Sequence, residues 1–165
     1  MKYLSLLLLL VLLSTCGDDL DENPGDLDRR FYQQAELEMP NPPRGEYVDW
    51  EVGQKIVFRY SFKHPDRPEI ADDELTEVFW IEMEPRFTAF SYTLTDQIPR
   101  DPNGLEFYYT RSCYCYSPPY EFSELEVTGE RISASLWRIN FNMTAEANGE
   151  SYTMADQGVY TLDTF

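Results

Sequence analysis

The 165-residue sequence predicts an all-β domain, and three observations carry that prediction. Aromatic residues make up 15% of the chain, including 12 tyrosines and 10 phenylalanines, a content too high for a disordered segment and suited to half-buried strands. From Glu46 onward, short runs of β-branched and aromatic residues are separated by turn residues. Beyond the leucine-rich start, no segment shows a convincing 3.6-residue apolar period. The specific expectation is an antiparallel β-sandwich, immunoglobulin-like, over residues 46–165, with a small up-and-down, lipocalin-like β-barrel as the alternative.

The elements follow from alternation and turn chemistry. Strands are expected near Tyr47–Trp50, Lys55–Phe62, Glu77–Met83, Phe87–Leu94, Leu105–Tyr116, Phe122–Thr128, Arg131–Thr144, Ser151–Met154 and Gly158–Asp163. Turns are expected at Glu51-Val52-Gly53, Asp101-Pro102-Asn103-Gly104, Thr128-Gly129-Glu130 and Ala147-Asn148-Gly149. Asn148-Gly149 is the strongest signal, because both residues tolerate the positive φ that a tight hairpin demands. Ile56, Phe58, Tyr60 and Phe62 share one strand face. Ile132, Ala134 and Leu136 have one parity, and Trp137, Ile139, Phe141 and Met143 have the other. That switch predicts a bulge in one long strand that bends between two sheets.

Residues 1–15 read as a signal peptide. Lys2 precedes the apolar run Leu4–Leu13, which is too short to span a bilayer permanently and has no polar face. Leu13-Ser14-Thr15-Cys16 resembles the bacterial lipobox, which implies lipidation of Cys16 with palmitate-type chains and an effectively permanent membrane anchor. Gly17-Asp18-Asp19-Leu20-Asp21-Glu22 resembles the acidic export tag of surface-displayed lipoproteins in Bacteroidota. Residues 16–45, acidic and then Pro-rich at Met39-Pro40-Asn41-Pro42-Pro43, read as a tether, with weak helical character at most over Arg29–Leu37. The stretches Arg131–Phe141, Asn148–Tyr152 and Gly158-Val159-Tyr160 look like the closing hairpins of small uncharacterised surface lipoproteins of that bacterial group. The resemblance implies an outer-membrane location facing the cell exterior, and it implies no activity.

Composition narrows the partners. The formal net charge is −17, from 30 acidic against 13 basic residues, and cleavage before Cys16 removes one more lysine. Nucleic acid is disfavoured, because its binders cluster Lys and Arg to release counterions. Anionic head groups are repelled as well. The membrane partner is therefore the lipid anchor itself, and a neutral glycan or a protein ligand stays open.

Candidate chemistry is sparse. Cys113 and Cys115 would lie on one strand face, as a candidate disulfide or as inert buried thiols, and with one histidine, His64, in the whole chain no metal site is expected. No cofactor is expected either. Asp19–Gly25 imitates half a calcium loop, but Pro24 stands at the turn position that needs glycine and Arg30 where the closing Glu would be. Glu82 and Glu84 share a strand face and suggest a small hydrolase as the rival reading, although solvent-facing charges on an edge strand explain them better. The aromatic run offers Tyr108, Tyr114, Tyr116 and Tyr120 as a ligand-contact face. No catalytic residue is assigned. The reading is a non-catalytic binding or accessory lipoprotein, with a purely structural envelope component as a further alternative.

Overall fold

In the computed structural model, residues 25–38, 49–65, 75–94, 104–112 and 120–164 are described. They form eight strands: β1 (Asp26–Glu38), β2 (Asp49–Lys63), β3 (Thr76–Met83), β4 (Ala89–Thr93), β5 (Glu106–Ser112), β6 (Glu121–Arg131), β7 (Leu136–Ala147) and β8 (Glu150–Leu162). No helix occurs among the described residues. The expected all-β class holds.

The strands make one continuous mixed sheet in the order β4-β6-β7-β8-β1-β2-β3-β5. Every pairing is antiparallel except β1 with β8, which run parallel through Arg30↔Thr161 and Phe31↔Leu162. Two four-stranded antiparallel halves, β1-β2-β3-β5 and β8-β7-β6-β4, thus meet along that one parallel seam.

The sheet is curled into a half-barrel. Strands lie about 4.8 Å apart, so β2 and β7 would be about 14 Å apart if the sheet were flat. Instead the Tyr60 and Phe141 rings meet at 5.2 Å, and Phe79 of β3 meets Phe141 at 4.6 Å. Even the two ends of the sheet approach: Tyr92 of β4 lies 4.7 Å from Phe107 of β5. The concave face holds the main core, with Phe31, Phe58, Phe79, Ile81, Met83, Val127, Trp137, Ile139, Met143 and Tyr160 at 1% exposure or less. Phe58 is its hub, in contact with Phe31, Phe90, Trp137 and Tyr160.

Several sequence expectations are corrected. The tether expected over residues 16–45 contains β1, which sits in the middle of the sheet with Phe31 wholly buried, and Arg29–Leu37 is strand rather than weak helix. Gly53 lies inside β2, in a bulge where Ala35 faces both Val52 and Lys55. Gly129 lies inside β6, and its missing Cβ makes room for the Phe90 ring of β4. Ser151–Met154 and Gly158–Asp163 merge into β8. The parity switch is a bend at Ser133–Ser135 between β6 and β7, not a bulge within one strand. Asn148 and Gly149, with φ of 54° and 81°, form the expected tight turn between β7 and β8.

Candidate functional site

The best-developed polar cluster sits at one end of the half-barrel, where β2 ends and β3 begins. His64 follows β2, and its backbone N–H donates to the carbonyl of Leu75 at 2.8 Å, closing the strand pair. That closure sets His64 Nε2 2.6 Å from Glu77 Oε2. The other oxygen, Glu77 Oε1, accepts from the Tyr109 hydroxyl of β5 and lies 3.8 Å from Arg111 Nε. Both neighbours are dictated by register, since Phe79↔Tyr109 and Glu77↔Arg111 are paired positions. Burial, helped by the bond to Glu77, drives the Tyr109 hydroxyl far above its ordinary pKa.

An aromatic shelf continues from this cluster. Tyr120, just before β6, meets Tyr109 edge-on at 4.9 Å, and Tyr152 of β8 meets Tyr120 at 5.5 Å. The Arg111 guanidinium lies over the Tyr152 ring at 4.5 Å, a cation–π contact. The Tyr152 hydroxyl donates to Glu150, and that bond raises its pKa. Tyr120 and Tyr152 are half-buried, so ring surface is exposed beside the Arg111 guanidinium and the Glu150 carboxylate.

A second cluster lies on the convex face of β1-β2-β3-β5. Beyond the bulge at Gln34 and Gly53, residues 35–38 and 49–52 fold over this face, and the Trp50 ring stacks on Tyr32 at 4.7 Å. Beneath them Tyr32, Ala35, Val57 and Trp80 form a small second core. Glu82 fixes the fold-over. One of its oxygens accepts from the Leu37 backbone N–H at 2.7 Å, and the other is ion-paired to the Lys55 ammonium. Burial is the largest single influence on Lys55 and opposes its charge, but the bond to Glu82 and the negative charges of Glu82, Glu106 and Glu36 together outweigh it, and the lysine pKa is raised.

Glu82 is therefore not a solvent-facing acid on an edge strand. It is 2% exposed on β3, which lies between β2 and β5. Both of its oxygens are committed, and Glu84 follows the end of the strand. The carboxylates of the hydrolase reading therefore do not flank an open cleft here.

Of the tyrosines expected on a contact face, the structure describes two and does not bring them together. Tyr108 lies on the convex face against the second core, its hydroxyl 2.5 Å from Glu106, whereas Tyr120 packs against the main core at the mouth. Tyr114, Tyr116, Cys113, Cys115 and Cys16 lie outside the described residues, as do Asp19–Pro24. Sequence reasoning missed Glu77, His64, Tyr109, Arg111 and Tyr152 as a group. The pairing of Glu77 with Arg111 was accessible only once β3 and β5 were known to be neighbours. No group of three or more His, Cys, Asp or Glu side chains suited to a metal ion occurs among the described residues, and no helix among them is long and apolar enough to cross a membrane. Comparison with protein-family models, curated proteins and solved structures finds no match to this chain.

Proposed function

We propose that this chain is a lipid-anchored, surface-displayed, non-catalytic binding or accessory protein of the outer membrane, whose β-domain presents the mouth shelf of Tyr120, Tyr152 and Arg111 to a neutral glycan or protein ligand. The observation that carries the binding half is the shelf itself: part-exposed rings next to polar groups already held in place by Glu77 and Glu150. Such groups lose little freedom when a ligand arrives. The non-catalytic half rests on commitment, because Glu77 and Glu82 spend both their oxygens on internal partners. The anchoring half rests on Lys2, Leu4–Leu13 and the lipobox-like Leu13–Cys16.

We also read the domain as an incomplete barrel rather than an immunoglobulin-like sandwich. The Tyr92–Phe107 contact between the sheet's two ends supports this reading. An experimental structure with two separate face-packed sheets would replace it.

Two measurements test the function. Mass spectrometry of protein extracted from membranes should find an acylated Cys16 as the first residue, and intact Met1 or unmodified Cys16 overturns the anchor. A screen of neutral polysaccharides and envelope proteins should give saturable binding that Tyr152→Ala weakens at least tenfold. Binding that ignores Tyr152→Ala, or none at all, removes the mouth from the reading.

A further inference from the structure

We propose that the concave interior behind β4 is a binding site for an uncharged, apolar ester or ketone. The site is independent of the mouth shelf. Trp137 and Tyr160 are paired positions on β7 and β8, both facing the concavity, and they are 0% and 1% exposed. Yet neither the Trp137 Nε1 nor the Tyr160 hydroxyl has a hydrogen-bond partner among the described residues. Buried donors without acceptors are costly and uncommon in native proteins. Two on directly opposed residues mark a place where an acceptor belongs.

The surroundings define the rest of the ligand. Phe58 lies edge-on to both rings, 5.2 Å from Trp137 and 6.2 Å from Tyr160. Ile139 and Phe90 close the neighbourhood, with Phe90 6.2 Å from Trp137. The wall around the indole is thus apolar, whereas the Tyr160 side also carries the Arg29–Asp156 ion pair. The indole N–H can only donate, so the ligand supplies a carbonyl or similar oxygen. It is uncharged, because the nearby Arg29 and Asp156 neutralise one another through two hydrogen bonds and the chain as a whole repels anions.

An entrance is built into the topology. β4 has five residues, and among the described residues its ladder is with β6 alone. No backbone hydrogen bond joins it to β5 among those residues, although the two strands face one another; side chains close that side through Tyr92 and Phe107. Phe90 and Tyr92, the inward residues of β4, therefore act as a stopper on the interior, and Phe90 is the β4 ring that contacts Trp137. Outward movement of this one short strand exposes the apolar walls and the two donors without breaking the rest of the sheet.

The test uses prodan, an uncharged naphthyl ketone whose emission reports both polarity and hydrogen bonding, added to the mature chain. Saturable one-to-one binding with blue-shifted emission is expected. Tyr160→Phe, which removes a single oxygen, should weaken it about fivefold to tenfold, and Trp137→Phe should do the same. Phe90→Ala should tighten it severalfold. Trp80→Phe serves as the control, because Trp80 Nε1 is also unpartnered but lies on the convex face, and it should leave binding unchanged. Absence of saturable binding to both the parent chain and Phe90→Ala overturns the proposal, as does binding insensitive to Tyr160→Phe and Trp137→Phe. A crystal structure grown with prodan that shows only a water between indole and phenol overturns it too.

Discussion

The two halves of the half-barrel solve the same problem differently. In β8-β7-β6-β4 the burial alternates strictly along β7, with Trp137, Ile139, Phe141, Met143 and Ala145 inward and Arg138 and Asn142 exposed. One face is dry and the other wet, as antiparallel sheets commonly are. In β1-β2-β3-β5 the strand β3 buries Phe79, Trp80, Ile81, Glu82 and Met83 in succession, because the folded-over end of the β1-β2 hairpin covers its outer face. The first half gains stability from one core alone. The second adds an apolar layer but must bury a carboxylate to hold it.

The comparison can be broken most forcefully at the shared hub. Phe58→Ala removes a ring that touches four other aromatic residues in both halves, and urea unfolding should show a loss of about 3–5 kcal/mol. Trp80→Ala, confined to the second core, should cost less than Phe58→Ala. Equal losses would mean that the convex layer is as integral as the concave one.

A sharper probe separates covering from pairing. Glu82→Ala leaves the Lys55 ammonium without its main partner and the Leu37 N–H unbonded, with an expected cost of about 3 kcal/mol. The double variant Glu82→Leu, Lys55→Met should recover much of that, since apolar pairs replace buried ion pairs at little cost. Failure of the double variant to recover would show that the Leu37 bond, not the charge balance, holds the fold-over.

At the seam between the halves, Gly158 is required for space. A Cβ there would collide with the Arg29 side chain, which lies across it to reach Asp156. Gly158→Ala should therefore displace Arg29 and cost about 1–3 kcal/mol, and Asp156→Asn should weaken the effect of that substitution in a double-mutant cycle. Strict additivity would mean that the Gly158 substitution does not act through the Arg29–Asp156 pair.

Alkaline titration gives a smaller and more distributed effect. Burial pushes the Tyr60 hydroxyl up to about 12, from the ordinary tyrosine value of about 10, and it raises the Tyr160 hydroxyl well above that ordinary value. Because the folded pKa values exceed the unfolded one, this stability is complete below about pH 10 and falls as pH rises from there towards the folded values. Tyrosinate absorbance should then show an early class of tyrosines near pH 10 and a late class that titrates only as the chain unfolds. A single class with no late fraction would mean that the core is open to solvent. Smallest of all, Val159→Thr on the wet face of β8, where Val159 is 45% exposed, should change stability by no more than about 0.5 kcal/mol.

The same contrast explains what the sequence made legible. Strict alternation with a polar outer face revealed β7, and Asn148-Gly149 fixed its turn, because each signal is local. β1 escaped notice because its acids at Asp26, Asp28, Glu36 and Glu38 resemble a solvated tether and the bulge at Gln34 shifts its parity midway. Glu82 looked solvated because the lysine that neutralises it lies 27 residues earlier on another strand. The mouth residues carry no motif at all. His64, Glu77, Tyr109, Arg111 and Tyr152 come together only through strand order, which alternation does not encode.

The parallel pairing of β1 with β8 also sets the order of events in folding. Arg30 meets Thr161 and Phe31 meets Leu162, so the first and last described strands are each other's neighbours in the middle of the sheet. Hairpins β1-β2 and β7-β8 form from local sequence, but the joint between them closes a loop of about 130 residues, and contacts of that separation are slow to form. A chain emerging from synthesis therefore holds an unpaired β1 edge until its final strand is present. Until the thirteen residues of β8 arrive, β1 therefore offers a hydrogen-bonding edge to any other strand, an exposure that the late position of β8 in the chain prolongs.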